Sequence, residues 1–364
     1  MSEKTICFFN SNKVWGGGEK WHFEFSKKLL NEGYRVFGIT NSKSDLYDKF
    51  RKADIPVFPL KIGNLSFLNP FKVFKLIKYF RQNSINVVVL GLSCDIKLGG
   101  IAAKLAGVKK ILYRRGSAIP VKNSPLNRYL FRKVLTGVIV NSKEIKRSML
   151  LNNPSLIDHD KIHLLYNCVD SEAFSINSAG QSMSLRKNGE LVLGNVGRMV
   201  DQKGQKYLID IAGILKKEGI KFRLFIAGRG KLEKELKEYA VLRNVEDEVV
   251  FTGFVKDMEH FMKSIDIFLL SSVHEGSANV LLEAMACGKS IVAFDISSMG
   301  EIIEHKRTGY LVEFKDIRSF SDSVIMLAHN PALRSEMGNN ARNRVVEKFS
   351  FDQALQGFLG IING

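Results

Sequence analysis

The sequence predicts an α/β protein of two doubly wound parallel-sheet domains. Three observations point there: a length of 364 residues, apolar runs of strand length alternating with helical patterns in both halves, and a polar stretch between the halves. That length exceeds one ordinary α/β core and suits two. Strand–helix alternation argues for parallel sheets, because parallel neighbours need a crossover that a helix usually supplies.

In the first half the alternation runs through Lys4–Asn10, a helix over Gly18–Asn31, then Tyr34–Thr40 and Ile85–Leu90. A helix over Ile96–Ala106 follows, then strands at Lys110–Tyr113, Gly137–Val140 and Lys161–Leu165. Ser171–Glu190 then turns to Ser, Asn and Gly without sustained periodicity, which reads as a linker. The pattern resumes with strands at Leu191–Val196, Phe222–Ala227, Val249–Thr252 and Ile267–Ser272. Helical spacing covers Lys203–Lys217, Lys231–Arg243 and Asn279–Ala286. The expected division is 1–180, 181–345 and a C-terminal helix at 346–364 that crosses back to the first domain.

Charge separates the halves. Residues 1–180 carry 29 Lys and Arg against 13 Asp and Glu, whereas the remainder carries 25 against 24. A basic domain beside a neutral one implies an anionic partner: nucleic acid, an anionic lipid surface or an acidic acceptor. Cys7, Cys94, Cys168 and Cys287 are far apart and suit neither a disulfide framework nor a zinc site. With no signal-peptide pattern at the N-terminus and no run approaching the roughly 18–20 apolar residues of a spanning helix, the expectation is a cytoplasmic protein that meets a membrane, if at all, at its surface.

The stretch Asn69–Arg81 predicts an amphipathic helix. Val73, Leu76, Ile77 and Phe80 share its apolar face, while Phe71, Phe74 and Tyr79 fall among Lys72, Lys75, Lys78 and Arg81. Lysine stems covering partly buried aromatics give this pattern. So does an interfacial helix, with cations on lipid phosphates and aromatics in the headgroup layer.

The chemistry concentrates at strand ends of the second half, where open parallel sheets bind ligands. Gly197-Arg198, Gly228-Arg229-Gly230, Gly253-Phe254 and Glu275-Gly276 each follow a strand, and Lys203-Gly204 opens a helix. Glycines admit sharp turns and close backbone approach, Arg198 and Lys203 offer cations for phosphate oxygens, and free N–H groups at a helix start suit an anion. Glu275 in the loop and Glu283 in the following helix add two carboxylates. A nucleotide diphosphate bearing a polyhydroxylated group would use this whole set.

These motifs resemble the donor domain of the retaining GT-B glycosyltransferases of family 4, the glycosyl transferases of group 1. The similarity lies in Gly197-Arg198, Gln202-Lys203-Gly204, Ala227-Gly228-x-Gly230, Phe251-Thr252-Gly253-Phe254-Val255 and Glu275-Gly276 through Glu283-Ala284-Met285-Ala286-x-Gly288, in order over Leu191–Glu313. Gly16-Gly17-Gly18-Glu19, Asn141-Ser142 and Asn167-x-Val169-Asp170 resemble islands of the family's acceptor domain. The resemblance implies two Rossmann-like domains facing across a cleft and retaining transfer of a hexose from a UDP or GDP sugar, with no metal and no other cofactor. The acceptor it implies is a hydroxyl of a cell-surface glycan, lipopolysaccharide or lipid-linked substrate, met at the inner face of the cytoplasmic membrane.

By resemblance Arg198 and Lys203 stabilise the departing diphosphate, Glu275 contacts the donor sugar and Glu283 holds the ribose. Gly276, Ser277, Asn279 and Val280 line phosphates and sugar, Gly253 and Phe254 sit near the base, and Gly17 closes over the phosphates. The histidine frequent in the family's acceptor domain is missing: that strand end reads Tyr113-Arg114-Arg115-Gly116, where Arg115 is a candidate phosphate contact and ordinary basic surface is the alternative. A GT-B sugar-nucleotide epimerase would share the nucleotide site. Nucleic-acid binding is suggested only by the charge and lacks a reading motif. A zinc-protease reading of His274-Glu275 fails because Ala278 stands where the second histidine is needed.

Overall fold

The computed structural model describes residues 4–174, 185, 189–275 and 279–364. It divides into two compact units, Met1–Asn167 with Leu355–Gly364, and Cys168–Ala354. The boundary falls at Asn167/Cys168, ahead of the expected linker, and most of that linker (175–184 and 186–188) lies outside the described residues.

The first unit holds a seven-stranded sheet of β1 (Thr5–Asn10), β2 (Arg35–Thr40), β3 (Val57–Pro59), β4 (Val87–Leu90), β5 (Lys110–Arg115), β6 (Gly137–Val140) and β7 (Ile162–Leu164). Every neighbouring pair is parallel, in the order β3-β2-β1-β4-β5-β6-β7. The second unit holds β8 (Leu191–Val196), β9 (Phe222–Ala227), β10 (Val249–Gly253), β11 (Ile267–Leu270), β12 (Ser290–Phe294) and β13 (Gly309–Val312), parallel in the order β10-β9-β8-β11-β12-β13. The central strands β1, β4, β8 and β11 are buried along their whole length. Helices cover both faces of such a sheet, so these strands read as continuous apolar runs. The short elements not expected from the sequence, β3 and β13 among them, lie at sheet edges, and the expected strand Lys161–Leu165 forms the edge strand β7.

In each sheet the strand order reverses once, between β1 and β4 and between β8 and β11. Loops leaving the carboxyl ends of those strands diverge and open a crevice at a topological switch point. The expected helix over Ile96–Ala106 is made of a π-type turn, Ile96–Gly100, running into Ile101–Ala106. Gly99 lies against β1 there, where an added Cβ would meet the Phe9 ring at 2.3 Å.

The last helix, Phe351–Asn363, gives its final turns to the first unit. Phe358 packs on Phe8 and Phe25 with ring centroids 6.2 and 5.5 Å away, and Lys4 Nζ donates to the Ile362 carbonyl at 2.7 Å. Emptying the Phe358 position costs about 3–5 kcal/mol on the general scale for buried aromatics.

Pro70–Gln82 forms the amphipathic helix, with Asn69 Oδ1 capping the Lys72 N–H at 3.2 Å. Phe71, Phe74, Lys75 and Lys78, spaced i, i+3, i+4 and i+7, share one outward face, and Phe71 and Phe74 are 83% and 69% exposed. Leu65 and Leu68, in the turn just before, are also largely exposed. Tyr79 departs from the expected outward placement: its ring packs on Phe58 at 4.7 Å and joins the core. Its position is nearly 100° from Lys78, enough to turn it toward β3. Lys72 Nζ is engaged by the Lys61 carbonyl at 2.7 Å, and Arg81 donates to the Leu105 carbonyl at 3.0 Å.

Candidate active site

The second unit's switch point gathers the residues singled out in sequence. The loop after β8 carries Gly197 and Arg198, and the turn Asp201–Lys203 follows; the loop after β11 carries Ser271 to Glu275. Hydrogen bonds join the two segments. Val273 N–H donates to the Gln202 carbonyl at 2.8 Å, Gln202 Nε2 to the His274 carbonyl at 2.8 Å, and Ser271 Oγ to the Gly204 carbonyl at 3.0 Å. Gly204 makes this approach possible, since it sits at φ +61° and an added Cβ would lie 2.2 Å from the Ser271 carbonyl oxygen.

Lys203 Nζ donates to Glu275 Oε1 at 2.6 Å, and Ser272 Oγ donates to the same oxygen at 2.5 Å. Glu275 is only 4% exposed, so its charge depends on this pair of donors. The Lys203 stem runs beside Gly197, where an added Cβ would meet it at 3.4 Å. Ser297 Oγ accepts from the Glu275 N–H at 3.5 Å and lies 3.3 Å from His274 Nδ1. Sequence reasoning missed Ser272 and Ser297. A serine at a strand end carries no pattern of its own, and only its place three residues before Glu275 hinted at Ser272.

Arg198 is exposed, and among the described residues its guanidinium has no hydrogen-bond or ion-pair partner. Its backbone is held by buried Gln205, whose Nε2 donates to the Arg198 carbonyl at 3.1 Å. Gly228 and Gly230 serve the chain's own packing: added Cβ atoms would lie 2.0 Å from the Gly197 oxygen and 2.2 Å from the Met199 oxygen. Gly253 needs its φ of +68°, and Phe254 beyond it is largely exposed. Glu283 is buried within the helix Asn279–Ala286, at whose start Asn279 and Val280 are half-buried. Gly276 and Ser277 lie outside the described residues. The loops of this switch point thus carry a carboxylate-bound lysine and an exposed guanidinium without a partner among the described residues, cations of the kind that suit phosphate oxygens.

The first unit's switch point opens into a cavity of about 540 Å³ lined by residues from the ends of β1, β4 and β5, including Asn10, Gly91, Arg114 and Arg115. Arg114 and Arg115 are 7% and 8% exposed, so the ordinary-surface reading of both is corrected. Arg114 donates to Asn167 Oδ1 at 2.8 Å and lies over the Trp21 ring at 5.3 Å. Arg115 donates to the Tyr113 hydroxyl at 3.3 Å and to the Ile119 carbonyl. Burial holds His22 down at about 4, leaving it neutral near pH 7, and pushes Asp95 up to about 7 although Ser11 and Leu92 donate to it. Gly17, the expected lid over the phosphates, is exposed at the start of the helix Gly17–Asn31 in this unit.

Two family models match the chain in succession: Glycosyltransferase Family 4 over residues 15–173 and Glycosyl transferases group 1 over residues 181–344. The chain belongs to glycosyltransferase family 4. Within that family it is 27% identical over 340 residues to an Escherichia coli UDP-Gal:alpha-D-GlcNAc-diphosphoundecaprenol alpha-1,3-galactosyltransferase, covering 88% of this chain and 87% of that protein. It is 26% identical over 237 residues to a Staphylococcus aureus poly(ribitol-phosphate) alpha-N-acetylglucosaminyltransferase; here the match takes in 64% of this chain but only 47% of the relative, about half its length. Among solved structures, Anabaena HepE in complex with UDP superposes with a TM-score of 0.87 at 19% identity over 99% of both chains. At that identity the likeness establishes the fold, two Rossmann-like domains of the GT-B type.

No helix among the described residues is long and apolar enough to cross a membrane, and no cluster of three metal-ligating side chains occurs among them.

Proposed function

We propose that the protein is a retaining glycosyltransferase that moves a hexose from a UDP or GDP sugar to a hydroxyl of a phosphate- or lipid-linked glycan acceptor. The observation that carries this reading is the Lys203–Glu275–Ser272 cluster at the second unit's switch point, with Arg198 in the loop that leaves the neighbouring strand β8. As the bond between the anomeric carbon and the diphosphate breaks, negative charge gathers on the leaving oxygen. Arg198 and Lys203 supply fixed positive charge where that develops, worth about 10²–10³ in rate for each donor of this kind. The acceptor oxygen bonds the anomeric carbon from the same face, and its proton passes to the departing phosphate, so no enzyme nucleophile is needed.

Glu275 is assigned to the sugar hydroxyls, Glu283 to the ribose, and Gly276, Ser277, Asn279 and Val280 to the phosphates and sugar. Gly253 and Phe254 take the base, and Gly17 closes over the phosphates. The names of the relatives support a lipid diphosphate or polyol phosphate acceptor. The outward face of Phe71, Phe74, Lys75 and Lys78, extended by Leu65 and Leu68, supports peripheral docking on an anionic membrane from the cytoplasmic side.

A thermal-shift screen of UDP and GDP sugars tests the donor half, because a ligand that binds only the folded state raises the melting temperature by mass action. One nucleotide sugar of the panel is expected to stabilise the protein and to release its nucleotide when a lipid-linked glycan is added. No shift with any of them counts against the reading.

A further inference from the structure

The cavity of the first unit holds two guanidiniums that the proposed donor site does not use. Arg114 and Arg115 are consecutive at the end of β5, so strand alternation brings them to the cavity from opposite faces of the sheet. Both are more than nine-tenths buried. A buried guanidinium loses its hydration and needs compensating charge or a full set of acceptors. Arg115 has neither: among the described residues its partners are the neutral Tyr113 hydroxyl and Ile119 carbonyl, and its Nε is buried without an acceptor.

Other groups at the cavity do not balance that charge. Lys122 also lines it; Glu19 is the acidic residue in the lining, and its Oε1 already accepts from Asn10 Nδ2 at 3.0 Å. His22 is neutral, and Asp95 beneath is held by Ser11. The planar fork of a guanidinium matches phosphate oxygens two at a time, which a carbonyl or sugar hydroxyl does not exploit. The wall beyond Arg115, with Ile119, Pro120, Val121 and Phe131, is apolar. At about 540 Å³ the cavity exceeds what a bare phosphate fills and falls within the range of small-ligand sites.

We propose that this cavity binds the phosphoryl group of a phosphate-bearing acceptor, with Arg115 gripping its oxygens, Arg114 adding charge from the other side, and the apolar wall taking the organic group esterified to it. The inference rests on the glycosyltransferase reading for the word acceptor; the phosphate site itself stands on the burial and partners of Arg115. A donor diphosphate offers the same chemistry, so the test must separate the two sources.

The full chain is titrated calorimetrically with hexyl phosphate and with neutral hexyl glucoside, with and without saturating UDP. Hexyl phosphate is expected to bind in the range up to about 10 mM, hexyl glucoside to bind far more weakly, and UDP to leave the phosphate affinity unchanged. Arg115→Gln is expected to weaken hexyl phosphate by about tenfold or more, the loss of a charge-assisted bidentate pair, and to leave UDP binding intact. If Arg115→Gln does not fold, Arg115→Lys, which keeps the charge and loses the fork, is expected to weaken it several-fold. Equal affinity in the folded variant, equal binding of the glucoside, or displacement of hexyl phosphate by UDP overturns the proposal. UDP binding by the wild type reports separately on the donor site, so failure of that reading shows as its loss and failure of this one does not.

Discussion

The two units share a parallel architecture and one switch point each, yet the charges in their crevices are compensated differently. In the second unit the buried carboxylate of Glu275 is closed by Lys203 and Ser272, while the guanidinium of exposed Arg198 has no hydrogen-bond or ion-pair partner among the described residues. In the first unit the buried cation Arg115 meets the neutral Tyr113 hydroxyl and Ile119 carbonyl, and the buried acid of the same unit, Asp95, is protonatable near pH 7. The fold supplies the same geometric opening twice. What each opening can bind is decided by which charges are already compensated, and that follows from two or three side chains in each loop set.

The sharpest way to break this comparison is to remove the cation that closes the second crevice. Lys203→Ala is expected to lower transfer by about 10³ and to cost about 3 kcal/mol of stability, the low end for a broken buried pair because Lys203 keeps some exposure. Adding Glu275→Gln should recover most of the stability and none of the activity; chemical denaturation and single-turnover assays read the two separately. Arg198→Ala should lower transfer by about 10² with an unchanged melting temperature, because the guanidinium supports nothing in the fold.

Gly204→Ala comes next. It forces a side chain at positive φ against the Ser271 carbonyl and should cost about 2 kcal/mol, displacing Lys203 in the process; a thermal melt alongside the assay checks this.

The first unit is sharpened through pH. Burial raises Asp95 from 3.8 to about 7 and lowers His22 from 6.5 to about 4. Folded Asp95 binds its proton more tightly than unfolded, so its contribution is fully present below about 4 and is lost as pH rises through about 7. His22 runs the other way: the unfolded chain takes up the proton, so stability is lost as pH falls from about 6.5 to about 4. The two slopes oppose each other across the shared window. Wild type should be nearly flat between pH 4.5 and 6.5, and Asp95→Asn should leave a stability that climbs with pH there, read by urea denaturation at successive pH values.

The smallest expected effect is at the exposed helix. Phe71→Ser with Phe74→Ser should reduce flotation with anionic vesicles several-fold at unchanged stability, whereas Tyr79→Ala should destabilise and leave flotation alone, since Tyr79 packs on Phe58.

Much of this was legible in sequence. Continuous apolar runs marked the central strands because those strands are buried on both faces, and the motif residues Arg198, Lys203 and Glu275 could be assigned to strand ends one by one. Their meeting was not legible. That Lys203 bonds Glu275 across 72 positions depends on β8 and β11 being neighbours, which strand order decides. Gly228 and Gly230 looked like openings for a ligand, but their missing side chains make room for the chain's own backbone. For Arg115 a phosphate contact and ordinary surface both stood open, because charged residues are usually exposed; its burial comes from the loop that closes over the end of β5, a tertiary event with no local pattern.

The most direct test of the central claim is nucleotide-sugar binding by the wild type and by the Lys203→Met, Glu275→Gln double variant, which removes the charged pair while filling its volume. Binding of one UDP or GDP sugar to the wild type, and its loss in an equally stable double variant, is the predicted result. A double variant that binds and turns over the donor as the wild type does would contradict it.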